Sequence, residues 1–388
     1  MIHDHLFIIF LIFAGAALFS TLALYARQSL LVTYILVGML LGPSGLGLVA
    51  DPKLITDMSE VGIIFLLFLL GTNLPPQKLL HLFRQTTVVA GISSLVFTAV
   101  GFGLALAFGF SPVESLLIGA CMMFSSTIIG LKLLPTTVLH HQHTGEIIIS
   151  ILLLQDLIAI LILMLLPAHG TDSGLSMELL RLFVSLIGVV SFAWLFERFI
   201  LVKLIRRFDQ IREYIFLMAI AWCLSMAELA SLVGLSAEIG AFIAGVMLAT
   251  SPLALFIGES LKPLRDFFLI IFFVALGAGF DLGIIQQVLL PATVLALLML
   301  VGKPFVFRWL LVRSGEEAPR SMEIGVRLGQ ISEFSLFVAM LALQLAVIGE
   351  RAAYVIQVST LLSFIVSSWF IVQRYPTPIA TSAKLRRD

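Results

Sequence analysis

Apolar runs of close to 20 residues recur from one end of this 388-residue chain to the other. A bilayer core about 30 Å thick asks for about 20 apolar residues per helical span, whereas barrel strands run to about 10 and alternate in polarity. The runs here do not alternate. In lipid every backbone N–H and C=O must be bonded, and a helix does this within its own segment. The runs therefore restrict the chain to a bundle of membrane-spanning helices. Charge agrees: 12% of residues are charged and 60% hydrophobic, where a soluble domain carries about 25% charged residues. The N-terminus has neither a basic n-region nor a small-residue cleavage site, so no removable signal is expected. Cys121 and Cys223 fall inside apolar runs and offer neither a disulfide framework nor metal-ligand spacing.

Thirteen hydrophobic segments can be read, near 6–24, 30–49, 60–73, 86–108, 113–133, 147–167, 177–202, 214–233, 237–250, 267–281, 289–311, 322–346 and 354–373. Most of the 23 Lys and Arg gather on alternate connections, among them Lys78, Arg84, Lys132, Arg206, Arg207, Arg313 and Arg386. Lys53, Arg181 and Arg351 fall on the opposite ones. By the positive-inside rule the crowded side is cytoplasmic, which places the N-terminus outside and the C-terminus inside.

The two halves share a register. LLFLLGT, ending at Gly71 and Thr72, falls 206 positions before FFVALGA, ending at Gly277 and Ala278. At the same offset Ser126 falls on Ser332, and Gly38 falls one residue from Gly245. Equivalent helices are an odd number of spans apart, so the halves run in opposite senses. Inverted repeats with interrupted helices mark secondary transporters.

The interruptions lie in the fifth and twelfth spans. Ser125, Ser126 and Thr127 sit in the middle of one, and Gly329, Gln330, Ile331, Ser332 and Glu333 in the middle of the other. Unwound backbone inside a membrane survives where protein or a water-filled cavity satisfies it, and its carbonyls and half-helix ends can then coordinate a cation. The plainer alternative is that each hydroxyl bonds back to its own helix and bends it.

Asp156, preceded by Gln155, stands about nine residues into the sixth span. An acid at a helix centre costs about 2.5–3.5 kcal/mol on insertion scales, and intramembrane acids usually mark an ion or proton path. Lys303, in the eleventh span beside Pro304, is either the ion-pair partner of Asp156 or a side chain snorkelling to the cytoplasm. Arg327 and Glu333 are six residues apart, which places them on different helix faces. His140, His141 and His143 read as a solvated connection rather than a metal site.

A single carboxylate has two neutral states: it holds a proton or it holds a monovalent cation. Both can cross a low-dielectric barrier, and the bare anion cannot. Exclusive occupancy of one mobile site is proton/cation exchange, electroneutral if no other group releases a proton.

GPSGLGLV (42–49), EVGIIFLLFLLG (60–71), SSTIIG (125–130), LLLQD (152–156), GLSAEIGAFIAGVMLA (234–249) and GQISEF (329–334) resemble the monovalent cation:proton antiporter-2 family, nearest its Kef-type potassium/proton branch. The resemblance runs in order along nearly the whole chain. It implies a sodium/proton antiporter-like fold and an elevator-type exchanger in the inner membrane of a bacterium, working as a homodimer. Scaffold helices would lie near 6–73 and 214–281, core helices near 86–167 and 289–373, and a linker helix near 177–202. Asp156 and Gln155 match the family's ion-carrying pair. Ser125 to Thr127 and Gln330, Ser332 and Glu333 match its two crossing breaks, and Lys303 a basic position in the eleventh span. Asn73 stands where the family usually has Glu. No GxGxxG occurs in a strand–helix setting, so a nucleotide-binding regulatory domain is not expected within this chain. The stretch Glu259–Asp266, read as a connection, resembles the segment such a domain or a separate subunit contacts.

The leading reading is a transporter, not an enzyme, without a cofactor and without a nucleic-acid partner. It exchanges a monovalent cation, potassium first, for a proton. A gated cation channel and a sodium/proton antiporter of the same fold stay open. A channel needs a continuous path and no obligatory proton, and the inverted repeat with a midplane acid favours the carrier.

Overall fold

Every helix and break in this protein follows from where peptide groups can be bonded without water. The computed structural model describes residues 2–26, 28, 30–48, 53–72, 76–132, 143–166, 175–208, 210–249, 251 and 254–377. In chain order the helices are α1 (Ile2–Tyr25), α2 (Leu30–Leu41), α3 (Lys53–Thr72), α4 (Pro76–Ala107), α5 (Pro112–Met123), α6 (Thr127–Lys132), α7 (His143–Leu165) and α8 (Leu175–Phe196). A π-helical turn, Glu197–Leu201, leads into α9 (Val202–Arg207). There follow α10 (Arg212–Leu232), α11 (Ala237–Leu248), α12 (Ala254–Ala278), α13 (Ile285–Arg313), α14 (Ala318–Arg327), α15 (Glu333–Gln344) and α16 (Glu350–Arg374).

Among the described residues, 7 helices are long and apolar enough to cross a membrane, and five shorter apolar helices accompany them. Large aliphatic side chains face outward, with Leu95 73% and Leu290 67% exposed. Such a surface suits acyl chains and not water. The fifth expected span is divided into α5 and α6, and the twelfth into α14 and α15. α4 and α12 begin at Pro76 and Ala254, well before the apolar runs expected at 86 and 267. A helix continues past its apolar stretch while each N–H still finds the carbonyl four residues back. Glu259–Asp266 is therefore not a connection but part of α12, with Ile257 and Leu261 buried and Lys262 exposed. Asn73 and the 140–142 stretch lie outside the described residues.

The chain gathers into two units: Met1–Leu18 with Tyr34–His81 and Gly170–Phe280, and Phe19–Thr33 with Leu82–His169 and Asp281–Asp388. In the first unit, glycines let helices meet backbone to backbone. A Cβ on Gly245 would lie 3.0 Å from the Cα of Gly71, and one on Gly277 would lie 3.0 Å from the Cα of Gly38. At the 206-residue offset Gly71 falls on Gly277, and Gly38 falls one residue from Gly245. The two contacts are therefore near-equivalents in the two repeats. The second unit repeats the device within each half. Gly119 abuts the backbone of Thr98 and Phe102 on α4, and Gly325 abuts that of Pro304 on α13, where a Cβ would come 2.8 Å from the proline Cα. Gly119 and Gly325 stand at the same offset in sequence.

Candidate ion-binding site

The site belongs wholly to the second unit and is built where two helices stop. Ser111 caps α5 and exchanges bonds with Glu114, accepting from its N–H at 3.3 Å and donating its own to the carboxylate at 3.0 Å. Pro112 in the first turn needs no N–H partner. At the other end Phe124 leaves helical geometry with ψ 144°. Residues Phe124–Ser126 lie outside any helix, and Ser126 restarts the helix by accepting from Ile129 N at 3.1 Å. In the second break α14 ends at Arg327. Ser332 starts α15 by accepting from Phe334 N at 3.1 Å.

Side chains from other helices satisfy the freed backbone. Gln155 on α7 accepts from Ser125 N at 2.9 Å and donates to Met123 O at 3.1 Å, filling two groups that the end of α5 leaves open. Its counterpart is Ser363 on α16, whose hydroxyl accepts from Ile331 N at 3.0 Å. Ser125 and Ile331 are repeat equivalents, so each break has one N–H capped from the last helix of its own half. Ser125 Oγ crosses to donate to Leu328 O at 2.8 Å, and Gln330 Nε2 returns to Ser126 O at 3.4 Å. Neither Ser125 nor Gln330 bends a continuous helix. Both stitch one break to the other.

Lys303 stands at the centre of this stitching. It is 0% exposed, and its ammonium donates to Phe124 O at 2.6 Å, Gln330 O at 3.0 Å and Ser125 Oγ at 3.5 Å. It also lies 5.5 Å from the ring centroid of Phe97, within cation–π range. Phe124 and Gln330 are repeat equivalents, and so are Phe97 and Lys303. A group that touches its own equivalent, and bridges an equivalent pair, lies on the two-fold relation between the halves. The ion pair of Lys303 with Asp156 considered from the sequence is not formed, and snorkelling is excluded by complete burial. The reason is local: the two breaks present carbonyl oxygens to the ammonium.

Asp156 is 2% exposed. Thr127 Oγ1, in the first turn of α6, donates to its carboxylate, 3.2 Å from Oδ2 and 3.4 Å from Oδ1. No basic side chain is ion-paired with it among the described residues. Glu333, the first residue of α15 and 2% exposed, is close enough to act on Asp156 electrostatically. Arg327 does not pair with Glu333. It pairs with Glu323 one turn earlier in α14, at 2.9 Å.

The structure thus brings Asp156 and Thr127 into contact and sets Gln155, Ser125, Ser126, Gln330 and Lys303 into one hydrogen-bonded crossing, with Ser332 as a helix cap. Sequence reasoning missed Ser363 and Ser367, the latter donating to Gln330 Oε1 at 3.1 Å. The signal was present. Ser359, Ser363 and Ser367 recur every four residues along α16, with Thr360 and Ser368 beside them, which makes a polar stripe on one face. Chemically, a carboxylate with one neutral donor keeps most of its acceptor sites for a proton or a cation. Among the described residues there is no cluster of three or more His, Cys, Asp or Glu that could hold a metal ion.

Comparison with known proteins follows the same line. The family described as sodium/hydrogen exchanger, transmembrane, matches residues 8–373. K(+) efflux antiporter 5 of Arabidopsis thaliana is 30% identical over 407 residues, spanning 100% of this chain and 68% of its own. The iron transporter MagA of Paramagnetospirillum magneticum is 28% identical over 350 residues, covering 89% of this chain and 80% of its own. Among solved structures, the sodium proton antiporter MjNhaP1 of Methanocaldococcus jannaschii aligns with a TM-score of 0.69 at 16% identity, over 94% of this chain and 96% of that one.

Proposed function

The chain belongs to the sodium/hydrogen exchanger transmembrane family, among its Kef-type cation:proton antiporters, and we propose that it exchanges potassium for a proton by competition at Asp156. The observation that carries the reading is the setting of that carboxylate. It is buried beside a helix break, bonded by one hydroxyl, and has no basic partner among the described residues. Such an acid reaches neutrality by taking a proton or a monovalent cation, and an uncompensated charge inside the membrane is costly enough to enforce the choice. Ser125, Ser126, Gln330 and Glu333 shape the surrounding breaks, and Lys303 holds them together.

In this reading the chain spans the membrane thirteen times with the N-terminus outside and the C-terminus inside, in a bacterial inner membrane. The unit carrying Asp156 is the moving core of an elevator-type cycle, the other is its scaffold, and two copies form a dimer through scaffold helices. The exposed face of α12 around Lys262 is the place for a cytoplasmic regulatory domain or subunit.

Proteoliposomes loaded with a pH-sensitive dye test the exchange. Adding potassium should drive proton movement in wild-type vesicles and none with Asp156→Asn. Sodium acting in place of potassium would change the cargo and keep the mechanism, whereas ferrous iron would leave one carboxylate with an excess positive charge and rule out the one-for-one exchange. Rapid potassium flux without proton movement would make the protein a channel, and normal exchange by Asp156→Asn would remove that residue from the mechanism.

A further inference from the structure

Arg327 is 1% exposed and, among the described residues, the largest of the fully buried side chains. A guanidinium placed so deeply is expensive, and its retention asks what its donors hold. Nε and one terminal nitrogen reach Glu323 Oε1, each at 2.9 Å. The same terminal nitrogen donates to Pro376 O at 2.9 Å. The guanidinium carbon lies 5.5 Å from the ring centroid of Tyr375. Glu323 is one turn away on the same helix and balances the charge. Tyr375 and Pro376 are different: they belong to the segment that leaves α16.

The opposite side of Arg327 faces the crossing. Arg327 is the last residue of α14, and its own carbonyl accepts from Gln330 Nε2 at 2.9 Å. That amide also approaches Ser126 O, next in the chain to Thr127 on Asp156, while the Gln330 carbonyl is one of the two that Lys303 holds. Two hydrogen bonds and one residue therefore separate Pro376 from the break that frames the site. Nothing in the packing of α16 itself demands this link, since α16 already ends at Arg374 with its own backbone cap, Tyr375 N to Ile371 O at 2.9 Å.

We propose that Arg327 is a positioning residue that couples the segment leaving α16, Tyr375–Thr377, to the break at Gln330, so that displacing this segment alters cation affinity at Asp156. The effect on transport rests on the exchange reading above, whereas the coupling itself does not. It acts on affinity because Gln330 sets where the Ser126 carbonyl and Thr127 stand relative to the carboxylate.

Two measurements on the full chain decide it. In purified protein, hydrogen–deuterium exchange of the 328–332 amides should accelerate in Arg327→Gln and in Tyr375→Ala, and stay at the wild-type rate in Tyr375→Phe, which keeps the ring. In proteoliposomes, each of the first two variants should raise the KM for potassium about fivefold with Vmax within about twofold, and the double variant should be no worse than either alone. Wild-type exchange of these amides and wild-type KM in Tyr375→Ala would overturn the proposal, as would multiplicative effects in the double variant. Tyr375→Ala removes no buried charge, so it serves if Arg327→Gln does not fold. If wild-type vesicles exchange no ions, the transport reading fails while the amide measurement still decides the coupling.

Discussion

Phe124 and Gln330, 206 positions apart, offer their carbonyl oxygens to the same ammonium, Lys303 Nζ, at 2.6 and 3.0 Å. One lysine thus serves both halves of an internally repeated structure. The equivalent position in the first half is Phe97, which lies under the same ammonium. A second lysine there would crowd one axis with two like charges. The repeat has resolved this by placing a cation in one half and a π face in the other.

Lys303 is accordingly a structural cation before it is anything else. Lys303→Met should strand both carbonyls, at about 1–3 kcal/mol for each buried acceptor left open. Thermal unfolding in detergent checks this, and the expectation is a markedly lower Tm. An unchanged Tm would mean that water replaces the ammonium at no cost.

Gln155 holds the end of α5 through both ends of its amide. Gln155→Leu keeps the volume and loses both bonds, so it should destabilise the protein by about 1–3 kcal/mol for each stranded backbone group. It should also raise the KM for potassium more than it lowers Vmax, because Ser125 to Thr127 would no longer be fixed beside Asp156. Initial rates over a potassium series separate the two parameters.

Lys303 bonds to two backbone carbonyls and the Ser125 hydroxyl and not to Asp156, so under the proposed exchange, with Glu333 keeping its protonation state, one carboxylate would trade one proton for one cation and no net charge would move. Exchange in vesicles clamped at different potassium-independent voltages should then show the same reversal point at every potential. A reversal point that moves with voltage would require a second titrating group in the cycle.

Gly71 and Gly245 meet with no room for a methyl group. Gly245→Ala should cost about 1–3 kcal/mol through overpacking, read as a lower Tm, and Gly277→Ala should match it because it meets the Cα of Gly38 at the same 3.0 Å. The same change at Gly91, where nothing stands within 4 Å of a Cβ, should leave Tm unchanged or raised.

The breaks could be read from sequence because Ser125–Thr127 and Gly329–Glu333 put polar and small residues where a span should be apolar. Asp156 stood out for the same reason, as a carboxylate in an aliphatic run, and the structure sets it beside the first break. Lys303 was half legible. Its burial follows from its place in a span, but its partners come from breaks 179 and 27 residues away, and carbonyl oxygens leave no trace in a residue pattern. The offset that links Gly71 to Gly277 also links Phe124 to Gln330 and Phe97 to Lys303, so the repeat held the answer once contacts were known. The link from Arg327 to Pro376 spans 49 residues and runs to a backbone carbonyl, which no spacing encodes. The expected connection at Glu259–Asp266 failed because Leu261 and Ile257 give that stretch a buried helical face despite Pro263.

If proton and cation occupy Asp156 by turns, the pH dependence of transport at varied potassium must show it. A proton that occupies the carboxylate excludes the cation, so lowering pH through the titration of Asp156 should raise the KM for potassium by up to about tenfold per pH unit. Saturating potassium should restore the same Vmax at every pH. A KM that stays constant while Vmax falls with pH would mean that both ions occupy the protein together, and would rule out exclusive occupancy of Asp156.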